Sequence, residues 1–305
     1  MKILITLFMT FLLNSWTLNA FADSPTTEAA IPGAYCECNT PDAFFKISNS
    51  FTREDLELIQ ERFEDPEEDL RRPIDRTLPR FRQLNAIGQV HSPHGGYSTG
   101  FLISPTLVLI NAHAVDKIGE KVLFRVGQTP KNSPNRWADE ARGEVVARGN
   151  YTDVNNHNQE WALVKLPNDS LSQKYGFLKL VLFKSEEEIK IMNDNGGFLT
   201  AGFPGFKDPR YLWGQGLDLG PDSDRVIFRN LNEIIATNSS GMSGGAVLYE
   251  INPGDFRVYS LIHATGPGLV TSLKAFRFSS SETYTVDFTH PDFKDNYSKA
   301  FQTHN

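Results

Sequence analysis

The chain has 305 residues, 40% of them hydrophobic and 11% aromatic, with 22 Phe, which is ample material for a sizeable core. The 37 acidic residues against 30 basic ones leave a formal charge of −7, which argues against a broad phosphate-neutralising surface, so no nucleic-acid partner is expected. Two cysteines rule out a disulfide-dense scaffold, and the length sets a prior of about two folding units.

At the N-terminus Lys2 precedes an apolar run over 3–13. Eleven helical residues cover about 16 Å, roughly half a hydrocarbon core, which is too short to span a bilayer. Ala20-Phe21-Ala22 supplies the small residues of a signal-peptidase site. The expectation is cleavage after Ala22, release to the periplasm or the medium, and no membrane anchor. Export permits a disulfide, but Cys36 and Cys38 are only two positions apart, where a bridge is strained, and two ligands alone make a weak metal signal. No metal is expected there. Residues 23–50 lack a period and read as extended chain. Thr52 and Asp55 resemble a capping box ahead of Leu56, Ile59 and Phe63 at helical spacing, which predicts a short helix. The charged stretch 64–72 follows as a solvated loop open to proteolysis.

From Leu84 the texture changes. Short apolar or alternating runs recur at 86–90, 100–103, 107–110, 122–126, 144–147 and 161–166. After a Glu/Lys-rich stretch at 185–193 they resume at 198–202, 225–228, 233–236, 246–250, 258–263 and 284–287. Gly, Pro, Asn and Asp clusters separate them, and few helices are evident. This pattern predicts an all-β barrel or sandwich.

Three segments carry candidate chemistry. Asn111-Ala112-His113-Ala114 follows an apolar strand and sets an imidazole at a strand end, although His113 alone reads more readily as a structural histidine. Gln159-Glu160-Trp161-Ala162-Leu163 places a carboxylate just before a buried-looking strand. Gly241-Met242-Ser243-Gly244-Gly245 hems a serine between glycines, where the backbone can bring N–H groups together beside the hydroxyl. A serine hydroxyl needs a base within reach, and the base needs an acid to hold its tautomer. The chain order His113, Glu160, Ser243 is one of several orders in which such triads occur.

With these residues in view, the chain resembles trypsin/chymotrypsin-like serine endopeptidases, above all the bacterial exported branch that contains glutamyl endopeptidases. The similarity rests on Ala86-Ile87-Gly88, the run from Gly100 to Val115 ending in Asn-Ala-His, Trp161-Ala162-Leu163-Val164-Lys165-Leu166, Gly202-Phe203-Pro204-Gly205 and Gly241-Met242-Ser243-Gly244-Gly245. It covers roughly residues 68–270. The resemblance implies two six-stranded antiparallel β-barrels with the active site in the cleft between them. It also implies His113 as general base, Ser243 as nucleophile, the N–H groups of Gly241 and Ser243 as oxyanion hole, and polypeptides as substrates. No cofactor is implied.

Departures from the pattern shape the expectations. The family carries Asp where this chain has Glu160, and Asp153 is the fallback acid. Met242 stands where animal members carry an Asp that binds the newly formed N-terminus, and Ala114 replaces a disulfide-bonded Cys. In the glutamyl branch a Gly-Ile-His segment lines the specificity pocket. His263 falls on that histidine, and Asn238 on a pocket threonine, so the resemblance implies a preference for Glu before the scissile bond. His91 and His94 lie in a turn with no third ligand, so no metal is expected there either. The expected organisation is a signal peptide at 1–22, a candidate pro-region at 23–68, a first barrel at 69–184 and a second barrel with a C-terminal tail at 185–305. The alternative to a peptidase is a weak or inactive binding or adhesion module on the same fold. Oligomeric state is not legible in the sequence.

Overall fold

A computed structural model describes residues 71–93, 96–129, 135, 137–152, 157–204, 207–208, 210–216, 226–230, 233–236, 242–265 and 282–302. The signal segment, both cysteines, the helix expected near 52–63, His94, Asp153, Asn238 and Gly241 lie outside the described residues.

Six strands close into a barrel: β2 (Ile87–His91), β3 (Tyr97–Leu102), β4 (Leu107–Ile110), β5 (Lys121–Gln128), β6 (Trp137–Arg148) and β7 (Ala162–Lys165), in the order β2-β3-β4-β7-β6-β5. All pairs are antiparallel. β4 and most of β7 are buried, which is why they read as unbroken apolar runs. β6 is longer than the apolar run at 144–147 because its first half alternates partly buried with exposed residues, and only Gly143, Val145 and Ala147 are buried.

The remaining strands form a nine-stranded sheet. Its path runs β1 (Arg72–Ile74), β10 (Leu212–Gln215), β9 (Leu199–Gly202), β13 (Ala246–Asn252), β14 (Asp255–Thr265), β15 (Glu282–Asp287), β12 (Glu233–Ile235) and β11 (Ile227–Asn230). An antiparallel bridge between Phe198 and Val226, at the heads of β9 and β11, joins the path into a second ring of six strands, β9-β13-β14-β15-β12-β11. β10 and β1 extend this ring from β9, and β8 (Lys179–Leu180) pairs in parallel with β14. The fold is therefore all-β and chymotrypsin-like. β1, β8 and β10 lie outside the predicted strands.

Three helices flank the strands: α1 (Ser170–Tyr175), α2 (Glu186–Asp194) and α3 (Pro291–Gln302). The Glu/Lys-rich stretch is thus a helix. Ser185 and Glu188 make a reciprocal capping box, and three glutamates in the first turn oppose the positive end of the helix dipole. The expected C-terminal tail is in large part α3. Its Phe293 is fully buried and meets Trp161 edge-on, ring centroids 5.4 Å apart, so the helix packs on the chain just ahead of β7.

A 3-10 helix at Pro79–Ala86 ties the first barrel to the second. Arg80 donates to Glu250 from Nε at 3.0 Å and from Nη2 at 2.6 Å, Gln83 Oε1 accepts from the Phe256 N–H at 2.8 Å, and Phe81 stacks on Phe256.

Candidate active site

The register of β4 against β7 sets the geometry. Ile110 pairs with Ala162, so the end of β4 and the beginning of β7 share one edge of the barrel. His113 lies three residues beyond Ile110, in a 3-10 turn at Ala112–Ala114, and Glu160 lies two residues before Ala162. Two anchors hold the turn. Arg148 Nε donates to the carbonyls of Ala112 and Val115 at 3.2 and 3.1 Å, and buried Asn111 donates from Nδ2 to the Glu160 carbonyl at 3.3 Å.

Glu160 is fully buried, and one of its oxygens does two tasks. Oε1 lies 2.6 Å from His113 Nδ1 and accepts from the His113 backbone N–H at 2.9 Å. Burial pushes the carboxyl pKa up, but the charge and hydrogen bonds of His113, with a further contribution from His263, outweigh it and hold Glu160 below the ordinary glutamate value. An ionised acceptor at Oε1 requires Nδ1 to carry the hydrogen, which leaves the His113 Nε2 lone pair free to accept a proton.

Ser243 is held from both barrels. The Thr99 N–H, on β3, donates to the Ser243 carbonyl at 2.8 Å. On the other side, the Gly244 N–H donates to the Ile262 carbonyl on β14 at 2.8 Å. Gly244 has φ of +82°, and a Cβ there would collide with the Thr99 carbonyl, so only glycine fits this turn. The Ser243 hydroxyl donates to the His263 carbonyl at 3.3 Å, so among the described residues its hydrogen bond goes to β14 and not to His113. Met242 is buried, and Arg71, only 1% exposed, donates from Nη1 to its sulfur at 3.1 Å.

His263 is 2% exposed. Its Nδ1 lies 3.8 Å from Glu160 Oε2, its ring centroid is 6.3 Å from that of His113, and Tyr151 meets it edge-on at 5.4 Å. The structure thus groups His113, Glu160 and His263 tightly, with Ser243 bonded to the backbone of the last. His91 sits apart on β2, its Nε2 2.8 Å from Gln89 Oε1 and 3.3 Å from Arg125 Nη1. Thr99, Asn111 and Arg148 had no role in the sequence reading. Asn111 stood inside the Asn-Ala-His motif, but only the register shows that it clamps the acid's backbone.

No protein-family model and no curated protein matches the sequence. Among solved structures, the chain is similar to a Glu endopeptidase in complex with MPD, 16% identical over 76% of this chain and 96% of that one, with a TM-score of 0.51. It is likewise similar to human heparin binding protein, 13% identical over 78% and 97% of the two chains, with a TM-score of 0.51. A mutant of that protein aligns with a TM-score of 0.50. What is shared at these identities is the fold. Closed barrel, second ring and neighbours together define a trypsin/chymotrypsin-like fold, the architecture of serine-protease-fold proteins.

Proposed function

We propose that the protein is an exported serine endopeptidase working through an acyl-enzyme intermediate, with Ser243 as nucleophile, His113 as general base and Glu160 as the acid. The observation that carries this reading is the buried, ionised Glu160 holding both the ring and the backbone of His113. In the reaction the Ser243 hydroxyl rotates from the His263 carbonyl to His113 Nε2, which takes the proton as Oγ attacks the peptide carbonyl. Glu160 stays ionised and stabilises the imidazolium. The proton then passes from Nε2 to the leaving amine, and water repeats the sequence on the ester. The Gly241 and Ser243 N–H groups are the proposed oxyanion donors.

A fluorophosphonate probe tests this directly. Labelling of the protein but not of Ser243→Ala is expected, and equal labelling of both overturns the proposal. One observation favours the second reading, a binding module: the Ser243 hydroxyl is bonded to β14.

The finer proposals are a preference for acidic residues before the scissile bond, carried by His263 with Asn238, and release of residues 23–68 as a pro-region after signal cleavage. The first rests on the resemblance, since it is the backbone carbonyl of His263 that meets Ser243, while its ring faces Glu160. A peptide series with Glu, Asp, Arg or Leu before the scissile bond tests it, and indifference to acidic residues defeats it alone. N-terminal sequencing of the exported product tests the second.

A further inference from the structure

We propose that His113, Glu160 and His263 form a binding site for a divalent transition-metal ion, with Zn2+ as the probe, and that binding turns the triad off. One ligand atom from each residue lies within 4.8 Å of the other two. Glu160 Oε2 and His263 Nδ1 are 3.8 Å apart, a gap that two ligands at about 2.0–2.2 Å from a single ion can bridge. His113 completes the set from the Oε1 side. Its side chain is 20% exposed, against 0% for Glu160 and 2% for His263, so it marks the side from which an ion enters, and its ring gives up the Oε1 contact to turn toward one.

A second, independent observation points to a cation. Glu160 Oε2 is buried and, among the described residues, has no hydrogen-bond partner. A desolvated carboxylate oxygen without a donor is costly, and a dication supplies what the protein withholds. Two imidazole nitrogens and one carboxylate oxygen favour Zn2+ and its transition-metal neighbours over Mg2+ or Ca2+, which take oxygen ligands. A fourth position remains for water.

Binding and catalysis exclude each other through one proton. In the peptidase reading, on which the inhibitory consequence rests, Nδ1 carries the hydrogen and Nε2 the lone pair. Metal at Nδ1 needs that lone pair, so the proton moves to Nε2 and the ring stays neutral. Nε2–H cannot accept a proton from Ser243, and acylation stops. Glu160, already ionised, releases no proton. A chelator reverses the change.

The test uses the full-length protein with Cys36 and Cys38 both replaced by Ser, stripped of metal and titrated with ZnCl2 by calorimetry. One ion is expected, with affinity at least tenfold lower in His263→Gln and in His113→Gln, the latter altering only a partly exposed side chain. Fluorophosphonate labelling at Ser243 should fall as the ion binds and return with EDTA. Unchanged affinity in both variants, or undiminished labelling with the ion bound, overturns the proposal. If the protein never labels, the peptidase reading fails, and the calorimetric comparison still decides whether the site exists.

Discussion

Glu160 differs from the aspartate of the family pattern by one methylene, and the surroundings show how it is accommodated. The Asn111 clamp on its carbonyl fixes where the backbone ends, and the longer side chain then reaches both the ring and the N–H of His113. Glu160→Gln keeps the shape but loses the charge and can present an amide N–H to Nδ1. The wrong tautomer follows, and turnover on a cleaved peptide is expected to fall by about four orders of magnitude. Near-native turnover would transfer the acid's role to another residue such as Asp153. Gly244 is the other position where one atom matters. Gly244→Ala forces a side chain into a left-handed conformation against the Thr99 carbonyl, a loss of at least about 2 kcal/mol. Differential scanning calorimetry should show a lowered Tm, and Ser243 labelling should drop with it. At this scale the candidate residues were legible, because His, an acid and a Gly-flanked Ser each sit beside an apolar strand. The proximity of His263 to Glu160 was not, since 103 positions separate them along the chain.

Among the elements, strands buried along most of their length were plain in the sequence. β4 matches its predicted run residue for residue, because an uninterrupted Leu-Val-Leu-Ile run has nowhere to go but inside. The polar half of β6 and the short β1, β8 and β10 lack such a signal and exist because neighbouring strands supply hydrogen-bond partners. α3 shows an element reaching the site from a distance. Its Phe293 packs on Trp161, the residue after Glu160, and Asn158, two residues before Glu160, accepts from the Asp287 N–H on β15 at 3.4 Å. Phe293→Ala is expected to cost about 3–5 kcal/mol in chemical denaturation. Turnover should also fall, since the carboxylate loses its backing. A stable variant with full activity would confine α3 to a covering role.

Across the whole molecule, stability depends on pH through groups far from the site. His91 is half-buried, and that burial, with the Arg125 guanidinium at 3.3 Å and only partial relief from Glu140, lowers its pKa to about 4. The unfolded chain, with a histidine pKa of about 6.5, binds a proton in the window where the folded protein does not. The stability that neutral His91 contributes is therefore complete above about pH 6.5 and is lost as pH falls toward about 4. Thermal melts across that range should show a steeper decline for the native protein than for His91→Gln; parallel curves would remove His91 from the balance. Ser243, held by Thr99 on one barrel and Ile262 on the other, joins the site to the same global equilibrium, so thermal unfolding at neutral pH and loss of labelling should coincide.

By itself the sequence determined the β-rich class, the succession of most strands along the chain and the candidate residues His113, Glu160 and Ser243, because burial periodicity and turn chemistry are local. Only the tertiary structure decided which carboxylate meets His113, that Ser243 rests on β14, and that a second histidine faces the acid. Those outcomes depend on strand register and barrel closure, and both are long-range pairings with no local signature.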